Sequence, residues 1–302
     1  MQSPRIEISE EVRDALAEDH PVVALETAVV THGLPHPRNL EAAHATVSAL
    51  RSRAVVPALC LLHQGKLRIG ASLHIVEEIA QDTAREKASV RDLGAMLDAG
   101  TSGGLTVSAT LFAAHLAGIR VFATGGIGGV HAGASQTGDI SADLFQLARS
   151  PVITVCSGAK SVLDIPRTLE FLETSGVPVF SYGSSAFPAF YLTDSGETTS
   201  RVDSPEQIAR ISQAQWDVGY QRAVVIANPI PVKEAIPPDE WQVWLDAAYM
   251  EAAHAAVRGK AVTPFLLDHI AQLSGGRSVR ANLALLISNA DLAGQIAIAL
   301  AP

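Results

Sequence analysis

Short, continuously apolar runs separated by helix-length segments constrain this chain more than any other feature. They are VVAL (22–25), VVPALCLLH (55–63), VFAT (121–124), VITV (152–155), VPVF (177–180) and AVVIAN (223–228). Runs of this length without polar alternation are strands buried on both faces. Such strands belong in a largely parallel sheet covered by helices on each side. Between them, Leu40, Ala43, Val47 and Leu50 fall at helical spacing within 38–52, and Ser9-Glu10-Glu11 marks the capped start of a short amphipathic helix. Roughly the last seventy residues read mainly as helix. The pattern predicts an α/β layered fold. No Gly/Ser/Pro linker divides the chain, so residues 1–302 are expected to form one domain. TDSGETTSRVDSPE (193–206) reads as a surface loop.

Composition narrows the function classes. Apolar residues make up 48% of the chain and charged residues 18%, as in a well-packed globular protein. A formal net charge of −9 leaves no electrostatic footprint for nucleic acid, although a local basic pocket can still hold one phosphate. Cys60 and Cys156 both lie inside apolar runs and read as reduced thiols. The N-terminal stretch has acids where a secretory signal would have its apolar segment, and no apolar run reaches membrane-spanning length. A cytoplasmic protein with no membrane partner is the expectation.

Two glycine-bearing stretches imitate nucleotide motifs and fail. TGGIGGVHAG (124–133) lacks the G-x-G-x-x-G offsets, and SGAKS (157–161) has Ala159 where a P-loop requires glycine. Either can still turn backbone N–H groups toward an anion. His131 follows the first stretch, with Asp139 and Asp143 beyond it. The 10 histidines show no H-E-x-x-H spacing, which argues against zinc. A carboxylate with waters would suit Mg²⁺ or Mn²⁺. Alternatively, Asp139 caps the helix that starts near Ser141.

Lysine is scarce: Lys66, Lys87, Lys160, Lys233 and Lys260 are the whole set. Lys160 follows VITVCSGA, at the mouth of an apolar strand. It is either a cation paired with a carboxylate such as Asp164, or an amine placed to attack a carbonyl.

The segments ALETAVVTHGLPHP (24–37), FATGGIGGVHAG (122–133), DISADL (139–144), VCSGAKSVLDIP (155–166), LETSGVPVFSYG (172–183), FPAFY (187–191), ANPIP (227–231) and TPFLL (263–267) occur in that order. Together they resemble the pseudouridine-5'-phosphate glycosidase family, from about residue 7 to the C-terminus. The resemblance implies a single three-layer α/β/α sandwich on a mixed β-sheet, commonly assembled as a homotrimer. It implies reversible cleavage of a C–C glycosidic bond to give uracil and ribose 5-phosphate, with Mn²⁺ as the usual metal. Carried over by position, Lys160 is the nucleophile and Glu26 the proton donor. Lys87, Val107, Ser141, Ala142 and Asp143 match substrate-binding positions, Asp139 the metal ligand, and His131 and Asn282 the pair that holds the base.

The chemistry gives an amine a purpose. A carbon leaving group needs an electron sink at C1′, and an iminium supplies one. Glu26 would protonate the ring oxygen, and Lys87 would collect remote binding energy from the phosphate. The chain departs from the family pattern at Glu26-Thr27-Ala28, Pro57-Ala58-Leu59, Ser184-Ser185-Ala186 and Ser288-Asn289, where E-S-T, P-A-T, a threonine with a charged residue, and Asn-Asn are usual. These changes fit drift around the site, or a C-glycosynthase branch of natural-product (antibiotic) biosynthesis that joins ribose 5-phosphate to an aromatic acceptor. A non-catalytic sugar-phosphate sensor is the reading from a different class, against which both Lys160 and Glu26 are present. Cys156 reads as core, His32 and His36 as loop polars, and Trp216, Trp241 and Trp244 as packing or trimer contacts. Lys233 and Lys260 read as surface charges.

Overall fold

Within each long strand, neighbouring side chains enter different cores. Val23 and Leu25 join one cluster and Ala24 the other; Leu59 and Leu61 oppose Ala58, Cys60 and Leu62; Val121 and Ala123 oppose Phe122. Burial on both faces is what erases polar alternation from these runs. The structure, a computed structural model, describes residues 3–82, 84–255, 257 and 262–301. The surface-charge expectation for Lys260 lies outside the described residues; Lys233 is exposed.

The strands are β1 (Ile6–Ile8), β2 (Val22–Leu25), β3 (Val56–His63), β4 (Lys66–Ile69), β5 (Glu86–Ala88), β6 (Gly103–Leu105) and β7 (Val121–Ala123) in the first part of the chain. There follow β8 (Val130–His131), β9 (Ile153–Cys156), β10 (Leu163–Asp164), β11 (Val179–Tyr182), β12 (Ser200–Val202) and β13 (Val224–Ala227). The main sheet has 11 strands in the order β1-β4-β3-β2-β7-β9-β13-β11-β12, with β6 pairing β3 and carrying β5 beyond it. Its pairs are parallel except β3–β4 and β3–β6. The sheet is therefore mixed, as the resemblance implied. β8 and β10 form a separate antiparallel ribbon. The β3–β4 hairpin turns at Gln64 and Gly65, both at positive φ (50° and 69°), the conformation a two-residue hairpin turn needs.

The helices are α1 (Glu10–Ala17), α2 (Arg38–Arg51), α3 (Leu73–Gln81), α4 (Leu93–Ala99), α5 (Val107–Ala117) and α6 (Ala134–Thr137). They continue with α7 (Ala142–Leu147), α8 (Ile165–Thr174), α9 (Pro205–Asp217), α10 (Pro238–His254), α11 (Val262–Leu273) and α12 (Arg277–Leu300). Ser9 caps α1 by accepting the Val12 N–H. On one face α12 packs against α2, α9, β7 and β9; on the other, α1 and α5 cover β2, β3 and neighbouring strands. Helices on both faces complete the three-layer sandwich. Trp216 and Trp241 are buried in these layers, and the Trp216 indole donates to the Arg222 carbonyl at 3.0 Å.

Two expectations are corrected. Residues 193–206 are not one loop, because Ser200–Val202 form β12, parallel to β11 at the sheet edge. Only Val202 of that strand is buried, so no apolar run betrays it. Second, α12 is long and apolar enough to cross a membrane by length and composition, contrary to the expectation that no run was. Its contacts are those of a core helix: Leu285, Ala290, Ala293 and Ile296 are buried against the sheet and its neighbours.

The chain runs outward from β2 to β3 on one side, and through β7, β9 and β13 on the other. The carboxyl ends of β2 and β7 thus flank the point where strand order reverses, where open α/β sheets place their ligands.

Candidate active site

Three strand ends deliver the central side chains. β2 ends at Leu25 and is followed by Glu26, β7 by Thr124, and β9 by Ser157-Gly158-Ala159-Lys160. Asn289 of α12 ties the ends of β7 and β9 to the end of β13. Its Nδ2 donates to the Thr124 carbonyl at 2.8 Å and lies 3.1 Å from Ser157 Oγ, and its Oδ1 accepts from Asn228 at 3.0 Å. Asn228 also donates to Ser288, so the Ser-Asn pair that departs from the family pattern still forms a closed network. Gly158 has φ +74°, and a Cβ there would lie 1.9 Å from the Pro188 carbonyl oxygen. Only glycine fits that turn. The turn is fastened to the glycine-rich loop by Ile127 N–H to Gly158 O and Lys160 N–H to Ile127 O, both at 3.1 Å.

These ends open into a cavity of ≈ 320 Å³. Lys160, Glu26, His131, Asn282, Lys87, Val107, Asp139, Ser141, Ala142 and Asp143 all line it, so the structure brings together every site residue carried over from the sequence. Glu26 accepts a hydrogen bond from the Thr124 hydroxyl. Burial raises its pKa, opposed by nearby Lys160 and the Thr124 bond. Burial lowers the His131 pKa, against the pull of Asp139. Lys160 is half-buried and does not pair with Asp164. Asp164 instead caps α8, accepting the Arg167 N–H at 3.1 Å, with the Arg167 guanidinium 3.6 Å away.

The end of the cavity near β5 and α5 suits an anion. Lys87 projects from β5, and Val107 opens α5, whose first-turn N–H groups lack helical acceptors. Thr106 Oγ1 and Ser89 Oγ lie 3.0 and 3.2 Å from Ser108 Oγ, adding a hydroxyl cluster. Asp143 is engaged differently from the substrate contact the resemblance implied. One carboxylate oxygen accepts the Ser108 N–H at 2.9 Å and the other the Gly128 N–H at 2.8 Å. It is a buried clamp joining α5 to the glycine-rich loop.

Asp139 does not cap α7. Ser141 does so, accepting the Asp143 N–H at 3.2 Å, while Asp139 bonds through its backbone to His131 and Thr137. Its carboxylate is left facing the cavity. Among the described residues no group of three or more His, Cys, Asp or Glu gathers around a common point. One open carboxylate fits a hard ion that keeps most of its waters.

The Indigoidine synthase A like protein family model matches residues 11–299. Pseudouridine-5'-phosphate glycosidase from Methylobacterium nodulans is 48% identical, with 99% of this chain and 89% of the relative covered. That from Paracoccus denitrificans is 46% identical, with 99% of each covered. The chain belongs to the pseudouridine-5'-phosphate glycosidase family. Among solved structures it is similar to the prealnumycin C-glycosynthase AlnA in complex with ribulose 5-phosphate, with a TM-score of 0.91, 36% identity and coverage of 99% and 98%. An indigoidine synthase A-like protein from Thermotoga maritima gives a TM-score of 0.90 at 34% identity, with coverage of 98% and 97%.

This family member also carries cavity residues that no motif flagged. Arg91 and Phe190 line it, and so does His32, which the sequence suggested was a loop polar. His32 sits in a single wide helical turn, Val29–Gly33, whose Val29, His32 and Gly33 line the cavity. Phe190, at φ 54°, covers Gly126, where any side chain would collide with its ring. Phe190 lies in FPAFY and His32 in ALETAVVTHGLPHP, but neither was singled out within its segment; Arg91 gave no signal.

Proposed function

We propose that this enzyme reversibly cleaves pseudouridine 5'-phosphate with one water, giving uracil and ribose 5-phosphate. The observation that carries this reading is the sharing of one cavity by Lys160 and Glu26, an amine and an acid that burial keeps protonated above the ordinary carboxyl range. In cleavage, neutral Lys160 Nζ attacks C1′ and the ring C–O bond breaks, the ring oxygen taking the Glu26 proton. The attached nitrogen passes a proton to the Glu26 carboxylate. Its freed lone pair forms the C1′=N bond as the C1′–C5 pair leaves to the base, which takes that proton from Glu26 at C5. Water hydrolyses the iminium, returning the amine and an open-chain aldehyde. The phosphate end, with Lys87 and the α5 N-terminus, orients the opened chain. Asp139 would hold Mn²⁺ through one carboxylate and waters, and the ion would offset phosphate charge. A homotrimer in the cytoplasm is the setting we infer; exposed Phe112, Leu116 and Phe145 support association, which light scattering tests.

A second reading is a C-glycosynthase that attaches ribose 5-phosphate to an aromatic acceptor. The likeness to AlnA favours it, as does the apolar wall of Val29, Leu163, Phe190 and Leu267. Incubation with pseudouridine 5'-phosphate separates the two. Uracil release supports the glycosidase. No release, with ribose 5-phosphate still trapped on Lys160, supports the synthase.

A further inference from the structure

A second cavity of ≈ 190 Å³ adjoins the first, and His32, Gly33, Leu267 and Asn282 line both. His32 and Asn282 therefore stand at the waist between them. The two ends of a sugar phosphate are already spoken for: Lys160 and Glu26 at C1′ and the ring oxygen, Lys87 and α5 at the phosphate. The remaining wall, toward Phe190, Leu267, Asn282 and His32, is the side left for the aglycone.

The hydrogen bonding of His32 fixes what it offers there. Its Nδ1 lies 2.8 Å from Thr31 Oγ1. That hydroxyl has one proton and lies over two backbone carbonyls, Thr27 at 3.3 Å and Ala28 at 3.4 Å, the usual return bond of a helical threonine. With its proton turned to the backbone, Thr31 accepts from Nδ1–H. Nε2 is then the unprotonated nitrogen, on a residue that lines both cavities. His32 is exposed on the cavity wall, and its partial desolvation, with Lys87 and Arg85 nearby, lowers its pKa. Across the waist, Asn282 is 4% exposed, and its Oδ1 has no hydrogen-bond partner among the described residues.

We infer that His32 is an aglycone-specificity residue, its Nε2 accepting an N–H of the nucleobase imide opposite Asn282. This deepens the proposed glycosidase reading and rests on it.

The test is C–C bond formation from ribose 5-phosphate with uracil, 1-methyluracil and 3-methyluracil. Wild type should prefer uracil over one of the methylated bases by about tenfold or more in kcat/KM. His32→Leu should lower kcat/KM for uracil toward the methylated value and remove the preference. His32→Gln, which presents an amide oxygen near the Nε2 position, should restore it. Borohydride trapping of ribose 5-phosphate on Lys160 should be unchanged in both variants. If His32→Leu fails to fold, Thr31→Val, which releases the tautomer, should narrow the preference instead. A wild type indifferent to both methyl groups, or a folded His32→Leu that keeps the preference, overturns the assignment while leaving the glycosidase reading standing. A wild type that forms the ribose 5-phosphate adduct yet consumes none of the three bases overturns the glycosidase reading, and this assignment with it.

Discussion

Asp143 and Gly128 are joined by a 2.8 Å hydrogen bond from the glycine N–H to one carboxylate oxygen, while the other oxygen holds Ser108 at 2.9 Å. One buried side chain thus sets the spacing between the glycine-rich loop and the helix that faces the phosphate. An amide keeps one acceptor oxygen and turns an NH₂ group against the other N–H. Asp143→Asn should cost about 2 kcal/mol of stability. It should also raise KM for ribose 5-phosphate. Thermal unfolding and initial rates check both; an unchanged KM with lowered stability would confine the clamp to folding.

Gly158 carries the turn that presents Lys160. Gly158→Ala adds a methyl group against the Pro188 carbonyl in a left-handed backbone. The loss should exceed about 2 kcal/mol. Any folded protein should form the Lys160 adduct more slowly, read by timed borohydride quenching.

Glu26 has a raised pKa because burial disfavours its charge. Between the ordinary carboxyl value and the raised one, the native state keeps a proton that the unfolded chain has lost. Stability therefore falls as pH rises through that window. Glutamine does not titrate, so Glu26→Gln should gain in Tm over wild type as pH rises, with no such gain in acid. Turnover should fall about 10²–10⁴-fold, as for loss of a general acid. The wild-type rate should decline as pH rises through the raised pKa. A variant with the wild-type pH profile would remove Glu26 from the acid role.

Asp139 offers the open carboxylate for a hard ion. Asp139→Ala should weaken Mn²⁺ binding in the presence of ribose 5-phosphate by about tenfold or more, measured by electron paramagnetic resonance of free Mn²⁺. Unchanged affinity would place the ion elsewhere.

The strands of the sheet centre were legible because burial on both faces removes polar residues, and VVAL, VITV and AVVIAN show it plainly. Lys160 was legible because a lysine among small residues at a strand end is unusual. The edge was not: SRV of β12 buries only its valine, and β5 and β6 are short and carry lysine or glycine. Asp143 was carried over by position as a substrate contact; its clamp on two backbone N–H groups from distant segments shows only in the fold. Ser141 rather than Asp139 caps α7 for a local reason, since the cap lies one residue before the helix and the aspartate three. His32 and Asn282, far apart in the chain, line the same two cavities, a convergence no local pattern encodes.

The account turns on a covalent bond between Lys160 and the opened sugar. Borohydride reduction in the presence of ribose 5-phosphate, followed by intact-mass and peptide mass spectrometry, measures it directly. The predicted result is one reduced imine of ribose 5-phosphate per chain, located on Lys160 and absent from Lys160→Ala, which is also inactive. No adduct, an adduct on another lysine, or a Lys160→Ala variant that still turns over would contradict it.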